Sequence, residues 1–578
     1  MTTHTPLPTD LDQIIEAIIG QHSTTTPFRP SSRLPVTDST EAPPNSTYIL
    51  RVQRPEGRTW VTLSPEHTWG CPECATLKID ALRRRYPIDD TKQYQSSDVV
   101  ELLSCAWSIY NIPLAITELY DKQVWSIVTP APRCQTCATR KSSVHTFVQH
   151  LTRLLAYRSG APDVNSEPRE IYHAFEDSRS VTPNQFIHHN RWAIGYLSIM
   201  ANPVMVHQSD TVHLINSPVT TGPTVLGHEV AGGKGGTLEQ ALASCIGEGL
   251  ERYFLALNCQ LATRSASASD LREEGELIFD PVSDAGYPAN DPLVKEYTAT
   301  TTLEWVPGQA FSPARNICHS VQMPANILYC PYRPLEGTAE FSVGSTNGAA
   351  AAATPLEAMR QGVFELIERD AFWYYSRHGG PVVTLARGLV DEYIPSESTF
   401  PGVFTFQLLP SPFAINICQV TYVQETEGGV FTARGTGAKL AFKDALQRAY
   451  YECAQLIFSL EMDDQVESPL DMRSLWQSGL ALQQFPWFFD TEGMCSSKDF
   501  IPTDYSGTEL VASIAAQNLT VFWTILAETD TFAVAHSALK SIGLMDSSYY
   551  VNNGRFRTFE QLLDYGQQTV RYAGPLFM

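Results

Sequence analysis

Thr237-Leu-Glu-Gln-Ala-Leu-Ala-Ser-Cys-Ile-Gly-Glu248-Gly-Leu-Glu251-Arg252 and Thr354-Pro-Leu-Glu-Ala-Met-Arg-Gln-Gly-Val-Phe-Glu365-Leu-Ile-Glu368-Arg369 are two copies of one pattern. They align without a gap. Thr237 matches Thr354, Ala241 matches Ala358, and both copies close on Glu-x-x-Glu-Arg. Helix residues three and four apart share a face. Glu248, Glu251 and Arg252 therefore project together, as do Glu365, Glu368 and Arg369, with Ser244 and Gln361 one turn earlier. Carboxylates at this spacing repel unless something positive lies between them, and hard oxygen ligands suit magnesium. Two unrelated surface helices would account for the charges but not for the shared flanks.

Around these helices the composition is that of a globular protein. With 578 residues, 43% of them hydrophobic and 18% charged, the chain has material for two or three domains. A net charge of −22 argues against an affinity for nucleic acid or anionic membrane along the whole sequence. The first ten residues are polar and no run of about 18 apolar residues occurs, so neither a secretory segment nor a membrane span is expected and a cytoplasmic protein is the default. The 12 cysteines are too dispersed for a disulfide scaffold.

Four cysteines nevertheless pair as Cys71-Pro-Glu-Cys74 and Cys134-Gln-Thr-Cys137. Two thiolate pairs make the usual tetrahedral set for a structural zinc, and four thiolates leave no open position for catalysis. The expected organisation is a short helix (10–20) and a Ser/Thr/Pro-rich linker within 1–46, a zinc-binding α/β module over 47–156, a linker over 157–184, and one large domain over 185–578. In the module, Tyr48–Val52, Thr59–Leu63 and Val124–Val128 read as strands and Val99–Trp107 as a helix. The large domain has β-like runs at Thr301–Val306, Val403–Leu409 and Leu519–Leu526. Its helices and strands do not alternate strictly, which predicts an α+β fold with an internal helix repeat.

Two stretches enter the repeated helices. Gly232-Gly-Lys234-Gly-Gly236 reads as a loop whose backbone could approach a phosphate, with Lys234 beside it, but it lacks the Ser/Thr that would close a Walker loop. Gly344-Ser-Thr-Asn347-Gly348 precedes the second helix. A third helix, after Gly435-Thr-Gly-Ala, carries Arg448 and Glu452 four apart, which taken alone is an ordinary intrahelical ion pair.

Taken together, Ser244-x-x-x-Glu248-x-x-Glu251-Arg252, Asn347-x-x-Ala350, Glu357-x-x-x-Gln361, Glu365-x-x-Glu368-Arg369 and Arg448-x-x-x-Glu452 resemble the ATP-binding signature of the YcaO family of peptide-modifying enzymes. The resemblance covers roughly residues 185–578. It implies an ATP-binding α+β fold in which Glu248, Glu251, Glu365 and Glu368 serve magnesium and catalysis. Ser244, Arg252, Asn347, Gln361, Arg369, Arg448 and Glu452 would contact nucleotide. The implied activity is ATP-dependent cyclodehydration of Cys, Ser or Thr in a ribosomally made precursor peptide to thiazoline or oxazoline, as in bacteriocin biosynthesis. Thioamide or amidine formation, or a docking scaffold for another subunit, are the alternatives. The cysteine module is similar to part of the cyclodehydratase partner proteins. The partners implied are the precursor peptide, a separate leader-peptide-recognition protein, a flavin-dependent azoline dehydrogenase and a second copy of the chain in a homodimer. Relatives that form azolines end in a Pro-x-Pro-x-Pro tail, whereas this sequence ends Gly574-Pro575-Leu-Phe-Met578.

Overall fold

The computed structural model describes residues 23–28, 48–53, 60–65, 114–119 and 122–127 in the first part of the chain. In the rest, with short gaps, it describes 179–219, 230–257, 264–284, 297–330, 345–379, 382–394, 400–461, 472–490, 501–540 and 555–564, besides single positions such as Cys74, Ile171, Phe175 and Arg571. Two compact units result. One comprises Met1–Leu154, His189–Pro203 and Ser217–Ala231; the other comprises Leu155–His188, Val204–Asn216 and Gly232–Met578.

In the first unit, β1 (Ser23–Phe28), β2 (Tyr48–Gln53), β3 (Trp60–Pro65), β4 (Leu114–Leu119) and β5 (Lys122–Ile127) form one antiparallel sheet in sequence order. The three strands expected here coincide with β2, β3 and β5. β1 lies within the stretch whose composition suggested a spacer; Ser23 to Phe28 pair with Gln53 to Tyr48, as a threonine-rich run can. The expected helices at 10–20 and 99–107 lie outside the described residues, as do Cys71, Cys134, Cys137 and the end of the chain from Gly574. Cys74 is described and fully buried.

The chain then runs through β6 (Val204–Gln208), β7 (His213–Pro218, whose last two residues go with the first unit) and β8 (Val230–Gly235, whose first two do), which form a three-stranded sheet, into helix α1 (Leu238–Ala256) of the second unit. β9 (Arg264–Ser267), β10 (Thr302–Ser312), β11 (Ile317–Pro324) and β12 (Ala349–Ala352) follow, then α2 (Pro355–His378). β13 (Val383–Thr384), β14 (Val403–Leu408), β15 (Asn416–Thr426) and β16 (Gly429–Lys439) make an antiparallel sheet that leads into α3 (Phe442–Glu461). Finally β17 (Val521–Glu528) and β18 (Ala533–Leu539) join β9–β12 in a six-stranded sheet of order β11-β10-β17-β18-β12, with β9 on β10, and α4 (Arg555–Leu562) packs near the end. Sheets and helices of this kind, without strict alternation, are the α+β class expected. The runs at 301–306, 403–409 and 519–526 fall in β10, β14 and β17.

Described residues also occur within the expected linker over 157–184. Ile171 and Phe175 are fully buried, and the Arg360 guanidinium of α2 donates to the Ala174 carbonyl at 2.9 Å and to that of Glu176. This short segment therefore belongs to the second unit. His189–Pro203 and Ser217–Ala231 go with the first unit.

One local architecture occurs three times: a strand, a two-residue bend and a helix. The three are β8, Gly236-Thr237, α1; β12, Ala353-Thr354, α2; and β16, Leu440-Ala441, α3. Thr237 and Thr354 cap their helices, each hydroxyl accepting from the N–H three residues on (Gln240 at 3.2 Å, Glu357 at 3.3 Å), which stabilises a helix start by about 1 kcal/mol. Each strand lies on its own helix and also touches one helix of another copy: β8 on α3, β16 on α2, β12 on α1. The glycine-rich entry to the first helix is thus strand, not loop. A Cβ at Gly233 would sit 2.0 Å from the Ala241 carbonyl oxygen, and one at Gly435 would sit 2.2 Å from the Cys453 nitrogen, so these glycines let strand meet helix. α2 is the central helix, with Val363, Phe364, Leu366, Ile367, Phe372 and Trp373 all buried. Burial on that scale contributes about 1.5–3 kcal/mol per large apolar side chain.

Candidate functional site

Aligned on the last strand residue of each copy (Gly235, Ala352, Lys439), Glu248, Glu365 and Glu452 are equivalent. In the first two copies the carboxylate is held by the same two kinds of donor, an arginine four residues on and a backbone N–H. Glu248 Oε1 accepts from Arg252 Nε at 2.8 Å, and its Oε2 accepts from the Gly232 N–H at 3.2 Å. Glu365 Oε1 accepts from Arg369 Nη2 at 2.9 Å, and its Oε2 accepts from the Gly348 N–H at 3.0 Å. The third copy has Leu456 where the others have arginine. Here Lys234, arriving from the first copy's strand, donates to Glu452 Oε2 at 2.9 Å. The Gly-Lys stretch therefore brings its lysine to a glutamate on α3.

The second glutamates differ from the first. Glu368 accepts from Thr436 Oγ1 at 2.6 Å and from the Ala438 N–H at 2.9 Å, both on β16. Glu251 makes no hydrogen bond among the described residues. Burial, with the nearby Glu365 and Glu248 carboxylates, pushes its pKa well above the usual carboxylate range. Burial and the Glu452 carboxylate raise Glu368 as well. Burial also works to raise Glu452, but Lys234, Arg448 and Arg369 outweigh it and hold this group at about 2. Arg448 acts on Glu251, Glu368 and Glu452 alike, so the three helices converge on one electrostatic site. Behind them Arg434 is buried 4.0 Å from the Phe372 ring centroid and 5.4 Å from that of Trp476.

Asn347 sits in the turn before β12. Its backbone is fixed: the N–H donates to Ser345 Oγ at 3.0 Å, and the carbonyl lies 2.9 Å from His536 Nε2 on β18. Gly348 follows at φ +86°, left-handed backbone that favours glycine, and Gly362 of α2 lets the helix close on it. The Asn347 amide and the Ser244 hydroxyl make no hydrogen bonds among the described residues. Lys439 donates to Gln361 Oε1 at 2.8 Å. The twelve residues expected to serve magnesium and nucleotide thus lie on the three repeated helices or, for Lys234 and Asn347, on the strand or turn that leads into one. Sequence reading missed Lys439, Thr436, Arg434 and His536. Extending the repeat alignment into β16 sets Arg434 opposite Asn347 but gives Lys439 and Thr436 only glycine or alanine as counterparts, and no sequence signal marks His536.

Among the described residues no three His, Cys, Asp or Glu side chains stand together as a cage for a metal ion. Magnesium at a phosphate site does not need one: it is held by one or two carboxylates, substrate oxygens and water. Glu251 and Glu368, pushed up by burial and by neighbouring carboxylates, are a donor set that a dication would relieve, so the residues fit that ion. No described helix is long and apolar enough to cross a membrane.

Comparison with known proteins follows the same lines. A heterocyclase solved with substrate and cofactor shares the fold, with TM-score 0.64, 19% identity, and coverage of 91% of this chain and 76% of that one. The heterocyclase TruD matches with TM-score 0.54, 16% identity, and coverage of 92% and 75%. A protein of Methanothermobacter thermautotrophicus, itself uncharacterised, is 33% identical over 151 residues, and the match spans 26% of this chain and 35% of that protein. The family described as YcaO cyclodehydratase, ATP- and Mg2+-binding, matches residues 232–525, a span that begins at β8 and takes in all three strand–helix copies. With half of its length covered by that match, the chain belongs to the YcaO family.

Proposed function

We propose that the chain uses ATP and magnesium to activate backbone amides of a ribosomally made precursor peptide, so that Cys, Ser or Thr side chains close to thiazoline or oxazoline. The observation that carries this reading is the convergence of two metal-ready carboxylates, Glu251 and Glu368, with donors from three helices. Bound magnesium nucleotide would supply a phosphoryl group to the amide oxygen, chemistry that relies on positioning and charge more than on covalent help.

The chain's own residues divide the work. Both oxygens of Glu248 and of Glu365 are engaged by an arginine and a backbone N–H, so these two fix the shape of the site. Glu251, with no hydrogen bond among the described residues, and Glu368, whose oxygens accept from Thr436 and the Ala438 N–H but from no arginine, would share the metal charge. Ser244, Asn347, Gln361 and Arg448 would face the nucleotide, and Lys234, Arg252 and Arg369 pair with Glu452, Glu248 and Glu365. A separate leader-recognition protein and an azoline dehydrogenase would complete the pathway, and Cys71, Cys74, Cys134 and Cys137 would hold a structural zinc. A second reading, thioamide or amidine formation, would use the same activation of the amide oxygen.

Mass spectrometry of a candidate precursor peptide after incubation with the full chain, ATP and magnesium tests the proposal. Loss of one water per modified residue is expected. Exchange of oxygen for sulfur would replace it with the second reading. An unchanged peptide, with the leader-recognition protein present, would overturn both.

A further inference from the structure

Each repeated helix carries one polar side chain a turn before Glu248, Glu365 or Glu452: Ser244 on α1, Gln361 on α2, Arg448 on α3. Serine can donate, and arginine can only donate. Glutamine carries an acceptor and a donor on one amide, so the side it presents decides whether the three positions match.

Lys439 makes that decision. It is the last residue of β16, where the other copies end in Gly235 and Ala352, so no counterpart exists in them. The lysine is only 8% exposed, its Nζ lies 2.8 Å from Gln361 Oε1, and the ammonium stands 5.3 Å from the Phe364 ring centroid. An ammonium has donors and no acceptor, so the atom facing it must be the amide oxygen. The NH2 group of Gln361 is then the part left for a ligand.

We infer that Lys439 is a positioning residue: by engaging the Gln361 oxygen it makes Gln361 a donor-only group, and Ser244, Gln361 and Arg448 together offer one polyphosphate a donor from each of three helices. The inference rests on the nucleotide reading above and deepens it. A glutamine free to rotate would turn its oxygen toward phosphate oxygens in one of its two orientations, and the acceptors would repel.

Calorimetric titration of the full chain with the non-hydrolysable analogue AMPPCP and magnesium tests this, with thermal melting of every variant alongside. Lys439→Met is expected to bind about tenfold more weakly, a loss of about 1.4 kcal/mol. Lys439→Arg, still a donor-only cation, retains affinity within about threefold, and steady-state turnover of Lys439→Met shows a raised KM for ATP with kcat little changed. Gln361→Glu keeps an oxygen on the lysine but turns the other toward phosphate, and weakens binding at least as much. Equal affinity of Lys439→Met and wild type overturns the inference, as does equal weakness of the Met and Arg variants. If Lys439→Met does not fold, unchanged affinity in Gln361→Glu overturns it alone. Failure of the wild type to bind the analogue removes the nucleotide reading and this inference together.

Discussion

Lys234→Met should destabilise the second unit in a pH-dependent way. Glu452 is held at about 2 against an ordinary 4.5, and at about 1.4 kcal/mol per pH unit this corresponds to roughly 3 kcal/mol of preference for the ionised form. Lys234, Arg448 and Arg369 supply it against the opposing effect of burial, with Lys234 the largest of the three. Both side chains of the Lys234–Glu452 pair are less than a third exposed, at 17% and 28%, so solvent screens the pair only in part. Removing the lysine should therefore cost about 2 kcal/mol at neutral pH, short of the 3–5 kcal/mol of a fully buried pair. Because the folded pKa lies below the unfolded one, Glu452 contributes its full stability above pH 4.5 and loses it as pH falls toward 2. The gap between wild type and variant should close over the same window. Urea unfolding followed by tryptophan fluorescence at a series of pH values measures it. Lys234→Met/Glu452→Gln should recover most of the loss, since no buried charge then stands unpaired. Equal stability of Lys234→Met and wild type at pH 7, or a gap undiminished near pH 2, would refute the reasoning.

Other expectations follow from the same geometry. Glu251 has a raised pKa, so its ionisation costs stability as pH rises above the unfolded value; Glu251→Gln should melt higher than wild type at pH 8 without magnesium, show no such gain at pH 4, and lose stabilisation by magnesium ADP. Arg555 of α4 donates from Nε to Asp370 Oδ1 at 2.9 Å and from Nη2 to Oδ2 at 2.5 Å, with 4% and 1% exposure; Asp370→Asn should cost about 3–5 kcal/mol and speed proteolysis near α4, while Asp370→Leu/Arg555→Leu costs less. Gly362→Ala places a Cβ 2.1 Å from the Gly348 carbonyl oxygen, so it should lower the melting temperature and weaken nucleotide binding together, through the turn that carries Asn347.

What could be read from sequence was what the helix period writes. Glu248, Glu251, Glu365 and Glu368 recur at helical spacing, so both acidic faces were legible before any coordinate. The third copy was legible only in part. Arg448 and Glu452 sit four apart and resemble a local pair, but the hydrogen-bonded partner of Glu452 is Lys234, brought in by a strand of another copy. Gly232–Gly236 was misread for the same reason: glycine suits both loops and close packing, and only the positions of Cys245, Tyr451 and Gln455 show that packing is the cause. β1 was missed because its pairing with β2 is non-local and its composition resembles a spacer. Lys439 and His536 act on Gln361 and on the Asn347 carbonyl across the fold, a relation that spacing along the chain does not encode.

The central claim is that the three repeated helices enclose one magnesium–nucleotide site. Calorimetry with AMPPCP, with and without magnesium, on wild type and on Glu251→Gln/Glu368→Gln tests it most directly. One analogue per chain, bound only with magnesium and lost in the double variant while its melting temperature holds or rises, is the predicted result. Binding that is independent of magnesium, or undiminished in the double variant, would contradict it.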